Sequence, residues 1–443
     1  MSIAEVPESY LAILASSPKQ REDRKGDQND YERQMLGLLD ALARICVSQA
    51  EGEVYASAME TGPDSCTIFI IGNHEEVPQA TQDYLTDVCR QLTDVANLVD
   101  TVGRKTPSID DIPQDIRDTT DNILKTITAF TFEKFLSRVT KKDGRWRDRM
   151  REIDQLVDEA DRQKFEKLKN ALNILHQVAT FHTTDISSIL QVLTEVSRRW
   201  KFSNPDTEAF IRRVDLLHWQ TCDQTDVPFL IERYLRKVMK TFNETAKLIH
   251  FALSPNRSHI FKNPPKLMFL RSAKRRVELD IKTAVNTLRR MDRDYIDRFL
   301  GSEGERIEEQ YTCCPHCECT MLATILQRWR MQQRPAPIIG VSKLSCLGCH
   351  LFFLAYNRAR SQLTETDLPL EFVVTGAHNT LYLPWVSPDL TSIDPSLHAG
   401  VQEHLLILAR GASIAPVIEL CRRSSESTTP SSEEGEVMKV LGS

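Results

Sequence analysis

The sequence lacks any run of about 18 apolar residues, and the short apolar stretch in MSIAEVPESYLAILASSPKQ has no positively charged segment ahead of it. The expectation is an intracellular protein, cytoplasmic or nuclear, neither secreted nor membrane-spanning. A basic balance is lacking too. Lys and Arg number 56 against 62 Asp and Glu, a formal charge of -6, so no overall field draws polyanions and any nucleic-acid contact has to be local. No Gly-rich phosphate loop and no Gly-x-Ser-x-Gly elbow occurs, which removes two common routes to catalysis. No fixed-period repeat is visible. What is there is a chain of 443 residues, 41% hydrophobic and 27% charged, the composition of globular domains with real cores; its length suggests two or three of them.

Residues 1–30 end in the charged run RKGDQNDYER and are expected to form a flexible arm. A first helix is expected from Tyr31 to about Ala50. The β-branched run Thr67–Asn73 reads as an isolated strand or a short buried piece. From about Ala80 to Phe251 apolar residues recur at three-and-four spacing, the pattern of a helical bundle or array, with breakers at Pro107, Pro113, Lys142–Gly144, Ser203–Pro205 and Pro228. Between Asn256 and Leu300 twelve basic residues stand against five acidic ones, and this basic helix could steer a polyanion toward the segment that follows it, although solvated charge is the commoner meaning. After Tyr311 helix and strand alternate. The closing RRSSESTTPSSEEGEVMKVLGS has the composition of a disordered acidic tail. The expected division is a flexible arm over 1–30, an α-helical region over 31–270, an α/β domain over 271–421 and a disordered tail over 422–443.

Six of the 11 cysteines fall within one short stretch: Cys313, Cys314, Cys317, Cys319, Cys346 and Cys349. In an intracellular chain such clustering points to metal or catalysis before disulfides. Cys46, Cys66, Cys89, Cys222 and Cys421 lie singly and read as small buried apolar residues. The clustered thiols sit in two fragments, YTCCPHCECTMLATILQRW and PAPIIGVSKLSCLGCHLFFLAYN. In the first, Leu322, Ile325, Leu326 and Trp329 fall on one helix face. The second carries a short apolar strand and then a second helix, nearly apolar all round. His316 and Glu318 therefore stand at the start of one helix, Cys346 and Cys349 at the start of the next. Three residues apart on a first turn, the two cysteines can reach one ion, and the free N–H groups there favour thiolate. With the His316 imidazole they make three ligands for Zn²⁺, which leaves a position for water as in catalytic rather than structural sites. Glu318 is then placed to shuttle a proton.

His316-Cys317-Glu318 followed by Cys346-Leu347-Gly348-Cys349 resembles the His-x-Glu and Cys-x-x-Cys signature of zinc-dependent nucleobase deaminases. The stretch is similar to the cytidine-deaminase-like superfamily, most closely to a fungal branch of nucleic-acid and nucleotide deaminases, which IIGVSKLSCLGCHLF and EFVVTGAHNTLYLPWVSP resemble. The resemblance covers at most about Arg271 to Cys421. It implies a three-layer α/β/α domain with a mixed sheet after the helical region, an α+α/β chain overall, and hydrolytic loss of ammonia from a base in a nucleotide or single-stranded nucleic acid. His378, Tyr382 and Trp385 are candidates to line the substrate pocket, by base or ribose contact and by stacking, with turn and core packing as the alternative meaning. The usual proline before the first cysteine is Ser345 here, which can cap the helix.

Two other readings stay open. Cys314 and Cys317 form a Cys-x-x-Cys of their own, which with Cys346 and Cys349 would make a closed four-cysteine structural zinc site; Cys314, Cys317 or His350 could also fill the water position. Alternatively the deaminase-like domain is inactive and serves as a protein or nucleic-acid binding module, the helical region docking an unidentified protein partner.

Overall fold

Strand formation begins where β-branched residues are densest. The computed structural model describes residues 7–8, 10–11, 29–62, 65–102, 113–141, 143–180, 185–200, 204–221, 230–254, 257–272, 275–278, 281–290, 310–364, 366–377 and 385–426. In it the run at 67–73 forms most of β2 (Cys66–Gly72), which is not isolated: it pairs antiparallel with β1 (Tyr55–Thr61), from Tyr55 opposite Gly72 to Thr61 opposite Cys66. β3 (Lys266–Leu270) runs parallel along the other edge of β2. β6 (Ile338–Val341) lies antiparallel to β1, and β7 (Val373–Val374) parallel to β6. The result is a mixed sheet of order β3-β2-β1-β6-β7. A separate antiparallel pair joins β4 (Arg275–Glu278) to β5 (Gln310–Cys313).

Side chains alternate across this sheet with the period of two that a strand imposes. Ala56, Ala58, Phe69, Ile71, Ile339 and Val341 enter one core, together with α12 (Cys317–Arg330), α13 (Leu347–Ser361) and α14 (Pro395–Glu426). Tyr55, Met59, Ile68, Ile70 and Ile338 enter the opposite core, with α1 (Asp30–Ile45), α2 (Gln79–Val102) and α10 (Lys240–Leu253). The architecture is thus α/β/α in three layers, and the chain as a whole is α+α/β. Three of the five strands precede residue 271, so the sheet draws most of its strands from the stretch expected to be helical.

α1 opens with a reciprocal cap: the Asn29 side chain accepts from Glu32 N at 2.9 Å while Glu32 accepts from Asn29 N at 3.1 Å. It ends at Ile45, short of the expected Ala50. It also lies unusually close to the sheet. Ser57 Oγ donates to Leu39 O at 2.7 Å, Val341 N donates to the Asp40 carboxylate at 2.7 Å, and a Cβ on Gly340 would stand 2.2 Å from Leu39 C.

Between β2 and the second half of the sheet the chain is helical, as its periodicity requires. α3 (Gln114–Phe130) follows α2, and then α4 (Phe132–Thr140), α5 (Asp143–Asp154), α6 (Glu159–Thr180), α7 (Ile186–Arg199), α8 (Pro205–Thr221) and α9 (Ile231–Val238) enclose a core of their own around Trp146, Phe165, Phe210 and Leu235. The basic stretch after Asn256 is not one helix: its described residues form a 3-10 turn at Ser258–Phe261, β3, β4 and the short α11 (Ile281–Arg289). Interleaved prolines and β-branched residues break what charge alone made look continuous.

The ends of the chain depart from expectation where they are described. Tyr10 and Leu11 are buried in the core beneath α12–α14, and the Glu8 carboxylate accepts Ser387 N at 3.2 Å and Ser387 Oγ at 2.8 Å. That part of the arm is docked, because its Tyr–Leu pair buries apolar area that offsets the ordering cost. α14 runs to Glu426, past the expected start of the tail at 422; residues beyond it lie outside the described residues. Among the described residues no helix is long and apolar enough to cross a membrane.

Candidate metal centre

β6 is only four residues long, so the two helices that flank it in sequence start close together at one edge of the sheet. His316 is the N-cap of α12 and Cys346 the N-cap of α13; both have extended backbones, with ψ of 160° and 168°. Parallel bridges from Cys314 to Trp385 and from Ser345 to Ala377 pin the chain just ahead of each cap. Ser345 does not cap: the Cys346 thiol takes that place, accepting from Cys349 N at 3.5 Å, and Ser345 Oγ is buried without a hydrogen-bond partner.

His316 Nδ1 stands 3.4 Å from Cys346 Sγ and 3.4 Å from Cys349 Sγ, and the two sulfurs are 3.4 Å apart. In tetrahedral zinc coordination, with Zn–S of about 2.3 Å and Zn–N of about 2.0 to 2.1 Å, sulfurs stand about 3.8 Å apart and sulfur and nitrogen about 3.5 Å. An equilateral set at 3.4 Å fits that ion with little adjustment, and two thiolates offset its charge. These three residues could hold a metal ion.

Burial sets the electrostatics. It pushes both ligand thiols well above the ordinary cysteine value, with the mutual proximity of Cys346 and Cys349 adding to the rise at Cys346 and the adjacent Cys319 thiol adding to it at Cys349. Desolvation therefore outweighs the helix-terminus effect that was expected to favour thiolate. Two buried thiolates here would need a cation beside them. For His316 burial is again the largest influence and lowers its basicity, but the hydrogen bond and charge of Cys346 together with Glu318 outweigh it, and the net shift is upward. Glu318 is only 5% exposed in the first turn of α12, within electrostatic reach of His316 and Cys349.

Two of the surplus thiols, Cys317 and Cys319, have places of their own. Cys317 points its sulfur the other way, donating to Val54 O at 3.3 Å on the sheet side, so the four-cysteine arrangement is not assembled. Cys319 is fully buried beside Cys349, its thiol pushed up to about 11 by burial. Cys46, Cys66 and Cys89 are buried as expected; Cys222 and the side chain of Cys421 lie outside the described residues.

Trp385 is 2% exposed, and its indole N–H donates to Cys349 Sγ at 3.3 Å. It stands behind Cys349, with its ring buried rather than presented for stacking. His378 and Tyr382 lie outside the described residues. The contact of Trp385 with the ligand had no sequence signal beyond a tryptophan in a turn, and the contribution of the Val54–Tyr55 segment had none.

A family model described as OTT_1508_deam:-like deaminase matches residues 315–389, a stretch that begins just ahead of His316 and includes Cys346, Cys349 and Trp385. No curated protein and no solved structure matches the chain. Signature and geometry coincide on the same residues, and the C-terminal region is deaminase-like.

Proposed function

We propose that the chain is a zinc-dependent hydrolytic deaminase of a nucleobase, carried on a nucleotide or nucleic acid, and a relative of the cytidine-deaminase-like superfamily in its fungal branch. The convergence of His316 Nδ1 with the Cys346 and Cys349 sulfurs at 3.4 Å carries this reading, with a carboxylate two residues from the histidine on the same helix entrance. His316, Cys346 and Cys349 would hold the zinc, which supplies Lewis-acid activation of water.

In hydrolytic deamination a C–O bond to water forms at the ring carbon, the C–N bond to the exocyclic amine breaks, and ammonia leaves. A proton must travel from the water to the ring nitrogen and then to the departing amine. The Glu318 carboxylate, buried and free of any ligand role in the trio, is the group in position to take up that proton and hand it on. Trp385 orients Cys349 through its N–H, and the apolar walls around α12 and α13 exclude bulk water from the thiols.

The test is ammonia release from nucleosides, nucleotides and oligonucleotides by the zinc-loaded chain and by Glu318→Gln. Turnover by the parent and a loss of roughly 10²–10⁴-fold in the variant, with zinc content unchanged, is the expected pattern. A variant with full activity refutes the role of Glu318. Stoichiometric zinc with no ammonia from any base would favour the binding-module alternative.

A further inference from the structure

The helices inserted between β2 and α12 deliver charge to the loop whose end bonds the Cys317 thiol. α4 lies against the loop leading from α1 to β1: Lys134 Nζ donates to Ala50 O at 2.5 Å, and Arg138, one turn along, donates to Lys237 O at 3.0 Å and Thr241 Oγ1 at 3.3 Å. That loop ends at Val54, whose carbonyl accepts the Cys317 thiol next to His316, and at Tyr55, whose N–H donates to Ser342 Oγ at 2.9 Å. Lys343 is the next residue and stands three ahead of Cys346. Arg44 comes from the last turn of α1. Four cations from three distant stretches thus gather around the end of β6.

They gather without direct ion pairs: Glu244 and Asp40 attract Arg44, Glu51 and Glu53 attract Lys134, and Glu51 attracts Lys343, each from beyond contact distance. Among the described residues Arg44, Lys134, Arg138 and Lys343 make no ion pair, and the partners of Lys134 and Arg138 are neutral oxygens. Arg44 Nε is buried with no hydrogen-bond partner. The neighbouring acids are otherwise engaged: Glu51 with Lys141, Glu244 with Lys240 and Lys247, Asp40 with Val341 N and Thr375, Glu53 with Ser48 N and Gln49 N. Several basic residues elsewhere in the inserted helices are paired, as Arg162 and Lys169 are with Asp154 and Arg213 is with Asp161. Burial, with the repulsion of Arg138 and Lys343, pushes Lys134 down to about 8; burial and Arg44 push Arg138 down to about 10. Partly buried cations that repel one another and make no direct ion pair, as Arg44, Lys134 and Arg138 do beside the exposed Lys343, are stabilised when an anion joins them.

We propose that Arg44, Lys134, Arg138 and Lys343 form a binding site for the phosphate groups of a nucleotide whose base is presented to the His316–Cys346–Cys349 centre. The proposal rests on the deaminase reading above. Guanidinium forks and ammonium groups together match a compact polyoxyanion, and the site is a bounded cluster rather than a stripe of the kind that tracks a strand.

The test uses the full-length, zinc-loaded chain and measures binding of pyrophosphate, nucleotides, the matching nucleosides and a ten-residue oligonucleotide, with the variants Lys343→Ala, Lys134→Ala and Arg138→Gln. Lys343→Ala changes an exposed side chain and places no burden on folding. Nucleotides should bind about tenfold or more tightly than nucleosides; each variant should weaken nucleotide and pyrophosphate binding about tenfold and leave nucleoside binding and zinc content unchanged. Equal affinity for nucleotide and nucleoside overturns the site, as does an unaffected Lys343→Ala. Binding of the oligonucleotide alone overturns it in favour of a strand-tracking surface. The two readings fail separately: pyrophosphate binding that depends on these residues with no ammonia from any base sinks the enzyme and keeps the site, whereas deamination of nucleosides and nucleotides at equal efficiency does the reverse.

Discussion

Replacing Gly340 with alanine puts one methyl group where the backbone of α1 already is. The added Cβ would lie 2.2 Å from Leu39 C, 2.4 Å from Asp40 N and 2.5 Å from Leu39 Cβ, against ordinary contacts of about 3.5–4.0 Å. The nearest obstacle is backbone, so no rotamer change relieves it, and α1 and β6 must separate by about 1 Å or more. Separation strains three bonds that cross the same gap: Ser57 Oγ to Leu39 O, Val341 N to the Asp40 carboxylate, and Thr375 Oγ1 to the same carboxylate. Overpacking alone costs about 1–3 kcal/mol, and loosening buried bonds of this kind about 1–3 kcal/mol more for each that fails. A total of roughly 3–5 kcal/mol is expected, a large share of a typical domain's stability. The assay is the urea midpoint followed by circular dichroism, with Gly37→Ala as the control in the same helix. Nothing lies within 4 Å of a Cβ at Gly37, so that change should raise the midpoint through helix propensity, by about 0.5–1 kcal/mol. A Gly340→Ala variant within about 1 kcal/mol of the parent would refute the claim that α1 is in backbone contact with β6, and with it the three-layer packing argued from that contact.

Three further outcomes follow from the same geometry. Trp385→Phe removes the N–H that donates to Cys349 Sγ and should weaken zinc binding about tenfold or more in chelator competition; unchanged affinity would make Trp385 a packing residue only. Cys346→Ser should lose zinc while Cys317→Ser keeps it, and X-ray absorption at the zinc edge should count two sulfurs in the parent and in Cys317→Ser; a third or fourth sulfur would restore the closed-site reading. In the inserted helices the Asp215 carboxyl is pushed up to about 6 by burial, against the lowering effect of the Ile231 and Glu232 N–H groups that donate to it. A folded value above the unfolded one of about 3.9 means that the folded chain holds the extra proton between about pH 4 and pH 6, so the contribution is full below that window and falls as pH rises through it. Asp215→Asn should flatten that slope relative to the parent in urea midpoints taken from pH 4 to pH 7, and parallel profiles would show that the group is not buried as described.

The metal trio was legible because ligand chemistry leaves its record in spacing. A histidine at one helix start and two cysteines three apart at the next have few structural uses in common, and the fold brings them within 3.4 Å. The helices of the insert were legible for the same kind of reason, since an apolar stripe repeats every three or four residues. β1 was not. Its sequence, YASAMET, has a single β-branched residue, Thr61 at its end, because close packing on both faces selects for smallness in its middle: Ala56 and Ala58 face the core that holds α12, and Ser57 bonds to the backbone of α1. Nor does periodicity reveal that Ala56 pairs with Val341 across the whole insert. Without β1 and its partner, the helices read as a region placed before the α/β domain, whereas the topology places them inside it, between the second strand of the sheet and the helix that carries His316.

That placement changes what the inserted charges mean. Read along the chain, Arg44, Lys134, Arg138 and Lys343 are ordinary solvated residues spread over some three hundred positions, and a net charge of -6 argues against any anion site at all. Net charge governs the distant field, but the energy of a bound anion is set by charges within a few ångströms, because screening removes the rest over a Debye length of about 8–10 Å. The local balance is decided by which acids are already spoken for, and around the end of β6 they are taken by Lys141, Lys240, Lys247 and backbone N–H groups. An acidic protein can therefore hold an anion site where four cations make no direct ion pair, and its binding should fall with added salt less steeply than that of an exposed basic patch, because three of the four, Arg44, Lys134 and Arg138, are partly buried and screened less. A steep, strand-like salt dependence would place Arg44, Lys134 and Arg138 at the surface with Lys343 and remove the argument for a compact phosphate group.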